Sequence, residues 1–509
     1  MTFEIRIFVP VDILLVLKKG FKQPSYVIPF NQFSILQFFI VALIKSISGI
    51  RGTIGGKPGE NLTPSDIVKF TAAYGSIISK KNKKSKIIIG RDGRISGTMV
   101  RDLVVSTLTG LGIDVIDLGL STTPTVEVAV QFEKADGGII ITASHNPKEW
   151  NALKLLNSEG EFISAESGAR VLELAAKEDF VFSAVDKLGT VVIDESYLQK
   201  HVDAVLAYPL VHVKAIANKN LKIVVDAVNS TGAIYVPALL KALGVKNVIV
   251  LNGEINGKFA HNPEPLPENL VQLSNEVVKQ KADLGIAVDP DVDRLCFVNE
   301  DGSMFGEEYT LVAVADYILS QRKLDPSASG GNTVSNMSST KALKEITIKN
   351  GGEYFPSAVG EVNVVKKMKE VNAVIGGEGN GGIIVPDFHY GRDALIGIGL
   401  FLSHLANHKN GMRSLRAQYP DYFIAKKKMD LEEGVNVKSI FDKIKTKYKN
   451  QPVNTEDGLK IEFDSDWVHL RTSNTEPIIR IYSESNFETT ANNIAVRLMQ
   501  DIREFTPNL

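Results

Sequence analysis

Three aspartates alternate with other residues in the segment GIAVDPDVDRLCFV, residues 285–298. In an extended segment, Asp289, Asp291 and Asp293 would project their carboxylates to one side, because side chains alternate along a strand. Three like charges so close together repel one another unless a cation lies among them, and oxygen ligands favour a hard ion such as Mg²⁺. The apolar runs on both sides are typical of strands. The segment therefore predicts a metal site rather than a solvated acidic turn.

A serine follows a second apolar run in the segment GIIITASHNPKEWNALK, residues 138–154. Ser144 lacks the flanking glycines of a hydrolase nucleophile, since Thr142 and Asn146 occupy those positions. It can bind a phosphate, or it can be phosphorylated itself. A serine phosphoester is a stable store of a phosphoryl group, and an adjacent metal would screen its charge. The residues by themselves leave both alternatives open.

Two further loops carry groups that suit a sugar phosphate. The segment RTSNTEPIIR, residues 471–480, offers a guanidinium, two hydroxyls and an amide to phosphate oxygens, although a hairpin turn with an ion-paired arginine is the alternative. The segment IGGEGNGG, residues 375–382, allows close backbone approach, and Glu378 and Asn380 can bind sugar hydroxyls. The chain contains no G-x-x-x-x-G-K-[ST] nucleotide loop.

The rest of the chain alternates between helix and strand patterns, which predicts layered α/β domains. In LTPSDIVKFTAAYGSII, Thr63 can cap a helix that begins at Pro64, with Asp66 at the capping-box position. The pattern LTGLGIDVIDLG returns as LKALGVKNVIVLNG and, more weakly, as ALKEITIKNGGEYFPSAVG. These copies predict three related domains, with chance similarity as the alternative, because a helix that ends in glycine before a strand is common. The last hundred or so residues predict a smaller α+β domain.

Composition limits the class of protein. A chain of 509 residues is expected to form several domains. Lys and Arg number 57 against 59 Asp and Glu, so the basic surplus typical of a nucleic-acid-binding protein is absent. The single cysteine, Cys296, excludes an intrachain disulfide and a cysteine-based zinc cluster, which favours a reducing compartment. We expect a cytoplasmic protein.

The first residues need a separate interpretation. Residues 23–44 form an uncharged, largely apolar stretch that is long enough to span a bilayer. However, the stretch contains two prolines and the polar side chains of Asn31, Gln32, Ser34 and Gln37, and it runs directly into a strand pattern. We expect no membrane segment. We interpret residues 1–40 as an N-terminal extension, which the native protein would lack if translation starts at the codon read as Val41.

Taken together, the motifs resemble the α-D-phosphohexomutase superfamily. TASHNPKEWNALK, DPDVDR, GEGNGG and RTSNTEP occur in the order of that family, and SGIRGT, GRDGR and HNPEPLPEN match three further family loops. The resemblance covers about residue 41 to the end. It implies four domains around a central cleft, three of related mixed-sheet α/β topology and a small C-terminal α+β domain. We expect a phosphoserine domain at 41–197, a metal-binding domain at 198–303, a sugar-binding domain at 304–420 and a phosphate-binding domain at 421–509.

The resemblance also implies roles for single residues. Ser144 would be the phosphoserine and would bind Mg²⁺ together with Asp289, Asp291 and Asp293. The other catalytic residues would be the basic groups around the transferred phosphoryl, namely Arg51, His145, Lys154 and Arg294. The substrate-binding residues would be Glu378 and Asn380 for the sugar, and Arg471, Ser473, Asn474 and Thr475 for the non-reacting phosphate.

These residues imply a phosphosugar mutase that acts on a hexose or hexosamine phosphate through a sugar 1,6-bisphosphate. The chain has Asn380 and Gly382 where several family branches have serine and histidine. The form GEGNGG looks most like the phosphoglucosamine mutase branch, which favours glucosamine 6-phosphate and glucosamine 1-phosphate, with glucose and mannose phosphates as the alternative. A non-catalytic sugar-phosphate binding protein is disfavoured because it would not need Ser144. A metal-dependent phosphatase is a further alternative, and the sequence leaves a monomer or a homodimer open.

Overall fold

The residues that the structure describes form four β-sheets, each built from one region of the sequence. The first three sheets combine parallel and antiparallel strands and carry helices, whereas the fourth is antiparallel throughout. The predicted α/β architecture with a C-terminal α+β domain is therefore confirmed. The computed structural model describes residues 43–46, 49–79, 84–324, 331–432, 435–472 and 478–505. The predicted extension at residues 1–40 lies outside them.

The first sheet has seven strands. They are β1 (Ile44–Ser46), β2 (Gly49–Thr53), β3 (Lys86–Arg91), β4 (Asp114–Leu120), β5 (Gly137–Ile141), β6 (Trp150–Leu156) and β7 (Val191–Ile193), in the order β1-β2-β6-β5-β3-β4-β7. Its helices are α1 (Pro64–Ile78), α2 (Gly97–Gly110), α3 (Thr123–Phe132) and α4 (Ala165–Lys177). All five residues of β5 are buried, as expected for a strand covered on both faces.

The second sheet has four strands. They are β8 (Lys222–Asp226), β9 (Asn247–Leu251), β10 (Leu284–Val288) and β11 (Leu295–Asn299), in the order β11-β10-β8-β9. Its helices are α5 (Tyr197–Ala207), α6 (Val213–Lys219), α7 (Gly232–Ala242) and α8 (Val271–Gln280). Strand β10 is parallel to β8 and antiparallel to β11, so β10 and β11 form a hairpin at the edge of the sheet.

The third sheet has five strands. They are β12 (Thr333–Asn336), β13 (Tyr354–Ser357), β14 (Ile375–Glu378), β15 (Gly382–Val385) and β16 (His389–Arg392), in the order β13-β12-β14-β15-β16. Its helices are α9 (Glu307–Lys323), α10 (Ala342–Lys349), α11 (Glu361–Val371), α12 (Ala394–Asn407) and α13 (Met412–Arg416). One hydrophobic core joins the second and third sheets, and Phe297 stacks on Phe401 at a centroid distance of 3.8 Å within it.

The fourth sheet has five strands. They are β17 (Phe423–Asp430), β18 (Val453–Asn454), β19 (Leu459–Glu462), β20 (Trp467–Thr472) and β21 (Ile478–Ser485), in the order β17-β21-β20-β19-β18. Helices α14 (Val437–Lys447) and α15 (Glu488–Phe505) pack against it and enclose a separate hydrophobic core. The α+β domain predicted for the last hundred or so residues is confirmed.

The repeated helix–glycine–strand pattern is also confirmed. Gly112 lies between α2 and β4, Gly244 between α7 and β9, and Gly351 between α10 and β13. Their φ angles are 81°, 83° and 81°, a left-handed conformation that ends a helix and that glycine adopts without strain. The predicted start of α1 is correct as well, since Thr63 and Asp66 form the capping box.

Three predicted motifs lie where one antiparallel strand turns into the next. Ser144 follows β5 and precedes β6, the aspartates lie between β10 and β11, and Glu378 ends β14 before β15. Arg471 lies near the end of β20. A hairpin turn exposes its side chains at the rim of a sheet, so these turns can meet at one cavity. Among the described residues, no helix is long and apolar enough to span a membrane.

Candidate active site

A cavity of about 360 Å³ contains groups from all four sheets. Eight of the sequence-predicted residues line it: Arg51, Ser144, His145, Lys154, Arg294, Glu378, Asn380 and Arg471. The three aspartates predicted to bind the metal lie fully buried beside it, in contact with its lining residues. Ser473, Asn474 and Thr475 lie outside the described residues. The fold therefore brings together predicted groups as far apart in sequence as Arg51 and Arg471.

Ser144 lies at the point of the turn between β5 and β6, where its φ angle is +50°. This left-handed conformation is unusual for a residue with a Cβ and indicates that neighbouring groups hold the turn. Its Oγ donates a hydrogen bond of 2.6 Å to Oδ2 of Asp289, and His145 Nδ1 lies 3.4 Å from the same Oγ. The serine hydroxyl is thus placed directly against the acidic cluster.

The three aspartates have carboxylate oxygens that all lie within 4.8 Å of one another. The expectation of an extended segment is wrong, because residues 289–294 form the turn of the β10–β11 hairpin and Val292 has a φ angle of 61°. The turn gathers the carboxylates more tightly than alternation along a strand would. Asp289 Oδ1 accepts hydrogen bonds from the backbone N–H groups of Asp293 and Arg294, at 3.1 Å each, which fixes the turn.

The donor set of this cluster fits a hard divalent cation. Asp291 Oδ1 and Asp293 Oδ1 are buried without a hydrogen-bond partner, and Asp289 Oδ2 is bonded only to the Ser144 hydroxyl among the described residues. Buried carboxylate oxygens without donors are costly unless a cation binds them. Burial, together with the charges of Asp293 and Asp291, raises the pKa of Asp289 well above its usual value. A Mg²⁺ ion, which prefers oxygen ligands, would relieve both costs.

Lysine and arginine side chains surround the other side of the cluster. Lys154 Nζ donates to Asp291 Oδ2 at 2.6 Å and to Asp293 Oδ2 at 3.1 Å, and Arg392 Nη2 donates to Asp293 Oδ2 at 2.8 Å. Burial by itself would raise the pKa of Asp293, but the adjacent charges of Arg392 and Lys154 hold that pKa well below its usual value. The positive charges of Lys154 and Arg392 are therefore concentrated at Asp293. A bound cation would be attracted to the part of the cluster near Ser144 and Asp289.

His145 and Arg51 line the cavity beside the turn that carries Ser144. Burial and the nearby charges of Arg294 and Arg51 lower the pKa of His145 well below its usual value, so its imidazole is neutral at pH 7. Arg51 Nη1 donates to Asn146 Oδ1 at 3.4 Å, and Arg294 Nη1 donates to Glu264 Oε1 at 3.0 Å. These cations suit an anionic ligand on the cavity side of Ser144.

The opposite wall of the cavity carries the groups predicted to bind the sugar and the second phosphate. Glu378 Oε1 accepts hydrogen bonds from Asn336 Nδ2 at 2.9 Å and from the N–H of Gly360 at 3.1 Å. Arg471 Nε donates to Asp457 Oδ2 at 2.7 Å. Both predicted groups are therefore oriented by neighbours before any ligand arrives.

Four domain families match consecutive segments of the chain. They are the phosphoglucomutase/phosphomannomutase α/β/α domains I, II and III at residues 43–182, 199–302 and 306–422, and the C-terminal domain of the same proteins at residues 426–500. The chain belongs to the phosphoglucomutase/phosphomannomutase family. It is therefore a phosphohexomutase, an isomerase that moves a phosphoryl group within a sugar phosphate, and the resemblance seen in the sequence is confirmed.

Individual relatives extend over nearly the whole chain. A phosphoglucomutase/phosphomannomutase of Thermococcus kodakarensis is 35% identical, covering 88% of this chain and 98% of that protein. A probable phosphoglucosamine mutase of Methanopyrus kandleri is 33% identical and covers 90% and 98%. A phosphoglucomutase/phosphomannomutase family protein of Burkholderia thailandensis has the same fold, with a TM-score of 0.76 at 24% identity over 92% and 98% of the two chains.

Several residues of this phosphohexomutase site escaped the sequence analysis. Arg94 is fully buried and donates to carbonyl oxygens of the Ser144 turn, and Thr123 Oγ1 donates to Asp291 Oδ2 at 2.6 Å. Arg392 and Glu361 line the cavity and pair with each other, with Nε 3.0 Å from Oε2. The segment GRDGR, which contains Arg94, matched a family loop and was the one available signal. Thr123, Glu361 and Arg392 lie in segments without a recognisable motif.

Proposed function

We propose that this phosphohexomutase interconverts glucosamine 6-phosphate and glucosamine 1-phosphate through a phosphoserine at Ser144 and a sugar 1,6-bisphosphate. The observation that carries the proposal is the 2.6 Å hydrogen bond from Ser144 Oγ to Asp289, at a cavity that Glu378 and Arg471 also line. A serine at that place can receive and return a phosphoryl group while the neighbouring carboxylates hold a cation.

The proposed chemistry consists of two transfers. The phosphoryl group of phosphorylated Ser144 moves to the free hydroxyl oxygen of the sugar monophosphate, so the bond from phosphorus to Oγ breaks as the new bond forms. The hydroxyl proton passes to a base of the cleft. That proton is delivered to the departing Oγ of Ser144. The resulting bisphosphate then turns around, and Oγ bonds to the phosphorus of its other phosphate as the bond from that phosphorus to the sugar oxygen breaks. The proton of the serine hydroxyl passes through a base of the cleft to the released sugar oxygen.

The residues at the transfer end would act mainly through position and charge, because phosphoryl transfer requires alignment and charge neutralisation more than covalent help. A bound Mg²⁺ would neutralise charge on the phosphoryl oxygens, and Asp289, Asp291 and Asp293 would hold it. Lys154 is fixed by Asp291 and Asp293, so its ammonium group stays beside the reacting oxygens. Arg51 and Arg294, which line the cavity, supply further cations for the phosphoryl group.

The preference for an amino sugar is supported by one carboxylate of the cavity wall and by one relative. Glu378 lines the cavity, and a protonated amino group at C2 of glucosamine would be attracted to its carboxylate. The Methanopyrus kandleri relative is named as a probable phosphoglucosamine mutase. The Thermococcus kodakarensis relative is named as a phosphoglucomutase/phosphomannomutase, which makes glucose and mannose phosphates the second candidate.

One assay tests both parts of the proposal. Glucosamine, glucose and mannose phosphates are compared with Mg²⁺ and matched bisphosphates, on the native protein and on Ser144→Ala, with exposed Ser106→Ala on α2 as the control. We expect the highest kcat/KM with glucosamine phosphates, and a loss of roughly a thousandfold or more in Ser144→Ala because the phosphoryl carrier is gone. Near-normal turnover of Ser144→Ala, or release of free phosphate without isomerisation, would contradict the mechanism. A higher kcat/KM with glucose or mannose would contradict the sugar alone.

A further inference from the structure

Arg392 joins two parts of the cavity that the predicted motifs leave separate. The residue ends strand β16, is 8% exposed and lines the cavity. Its Nη2 donates to Asp293 Oδ2 and its Nη1 donates to Glu378 Oε2, both at 2.8 Å. One guanidinium thus contacts the acidic cluster of the second sheet and the sugar-binding carboxylate of the third.

The geometry of Arg392 depends on a missing side chain. Gly382, the first residue of β15, does not have the positive φ angle that would by itself require glycine. A Cβ at this position would instead collide with Cδ of Arg392 and lie 3.1 Å from its Cγ. A side chain at position 382 would therefore require Arg392 to shift.

Besides its pair with Glu361, at 3.0 Å from Nε to Oε2, the guanidinium has opposite effects on Asp293 and Glu378. At Asp293, the positive charge of Arg392 competes with a metal ion, because both are attracted to the same carboxylate. At Glu378, Arg392 is the third hydrogen-bond donor beside Asn336 and the N–H of Gly360. A carboxylate has about four lone-pair sites, so the three donors leave one free and fix its direction for a sugar hydroxyl or amine.

We propose that Arg392 is a positioning residue for the phosphohexomutase reaction, which orients Glu378 toward the sugar and moderates the attraction of the acidic cluster for Mg²⁺. The role requires the planar fork of arginine, since the ammonium group of lysine is a point charge that cannot bridge two carboxylates in the same geometry. The role at Glu378 rests on the proposed function, whereas the effect on metal binding does not.

The test separates charge from geometry. Mg²⁺ binding is measured by calorimetry without sugar, and glucosamine 6-phosphate binding is measured in the Ser144→Ala background, where no turnover occurs. We expect Arg392→Met to bind Mg²⁺ about tenfold more tightly, because a competing cation is removed, and the sugar phosphate about tenfold more weakly. Arg392→Lys keeps the charge, so its Mg²⁺ affinity stays within about twofold while its sugar-phosphate affinity falls. Arg413→Met, whose side chain is 66% exposed, is the control.

A merely structural role of Arg392 would not shift the Mg²⁺ affinity and the sugar-phosphate affinity in opposite directions. Unchanged affinities in Arg392→Met would overturn the proposal, and so would unchanged sugar-phosphate binding in Arg392→Lys. If Arg392→Met does not fold, the Arg392→Lys result decides. We also expect Gly382→Ala to weaken sugar-phosphate binding in the native chain but to add little to Arg392→Ala, where the space is free. If the native protein shows no mutase activity, the Mg²⁺ measurements still test the bridge, so the two failures are distinguishable.

Discussion

Replacement of Arg94 by lysine is expected to loosen the turn that presents Ser144 while the sheets stay folded. The guanidinium donates five hydrogen bonds at 2.6–3.0 Å, one of them from Nε to Oδ2 of the buried Asp92. The other four go to carbonyl oxygens of the turn, which belong to Ser144, Asn146, Pro147 and Trp150. Arg94 therefore holds a turn whose serine has a φ angle of +50°.

The size of the effect follows from a count of donors. Lysine has three N–H protons, so at least two of the five acceptors lose their donor. A buried acceptor without a partner costs about 1–3 kcal/mol, which gives about 2–6 kcal/mol for the two. When Ser144 leaves the left-handed conformation, about 1–2 kcal/mol of backbone strain is released, which further favours opening of the turn.

Hydrogen exchange of the backbone amides measures this opening directly. A local loss of 2–6 kcal/mol corresponds to exchange that is about 30-fold to 10⁴-fold faster across residues 142–150, with little change in β3 and β5. We expect kcat/KM to fall at least about tenfold as well. Arg91→Lys, in the same segment, is the matched control, since Arg91 donates one hydrogen bond of 3.1 Å to the carbonyl of Asp92. Unchanged exchange in Arg94→Lys would refute the reasoning.

Two further predictions concern pH and metal. Burial lowers the pKa of His469 from 6.5 to about 4, so its folded state favours the neutral imidazole. This contribution to stability is fully present above pH 6.5 and is lost as the pH falls toward 4, about 2 kcal/mol of it by pH 5. Chemical unfolding at pH 7.5 and pH 5 should therefore show a smaller pH dependence in His469→Gln, and an equal dependence would contradict the assignment. Asp291→Asn removes one of the three carboxylates of the cluster, so we expect a loss of stabilisation by Mg²⁺ in thermal unfolding. A native-like response to Mg²⁺ in thermal unfolding would remove Asp291 from the metal site.

The sequence predicted those parts of the site whose structure is determined by residues close together in the chain. The apolar runs before Ser144 and Asp289 are strands β5 and β10, and the polar segments after them are turns. The three copies of the helix–glycine–strand pattern appear in three sheets because each copy contains its own stop signal, a glycine with a left-handed φ angle. Local rules suffice where each element carries its own boundary.

The residues that the sequence analysis missed act through distant partners. Arg94 and the carbonyl of Ser144 are 50 residues apart, Arg392 and Asp293 are 99 apart, and Thr123 and Asp291 are 168 apart. No periodicity or spacing connects such pairs, since the contact exists only after the sheets have packed. The extended conformation predicted for the aspartate segment was wrong for a related reason, because backbone N–H groups that donate to Asp289 determine the shape of the turn.

The proposed reaction requires a bisphosphate to turn around, and the packing of the sheets indicates where the cavity can open for it. One hydrophobic core joins the second and third sheets, whereas the fourth sheet has a core of its own. The fourth sheet meets the third through hydrogen bonds such as those from Val359 N–H to Asp457 and between Ser338 and His469. Polar contacts exchange with water at a small net cost, while separation of a shared apolar core does not. We therefore expect Arg471, on strand β20, to move with the fourth sheet when the cavity opens.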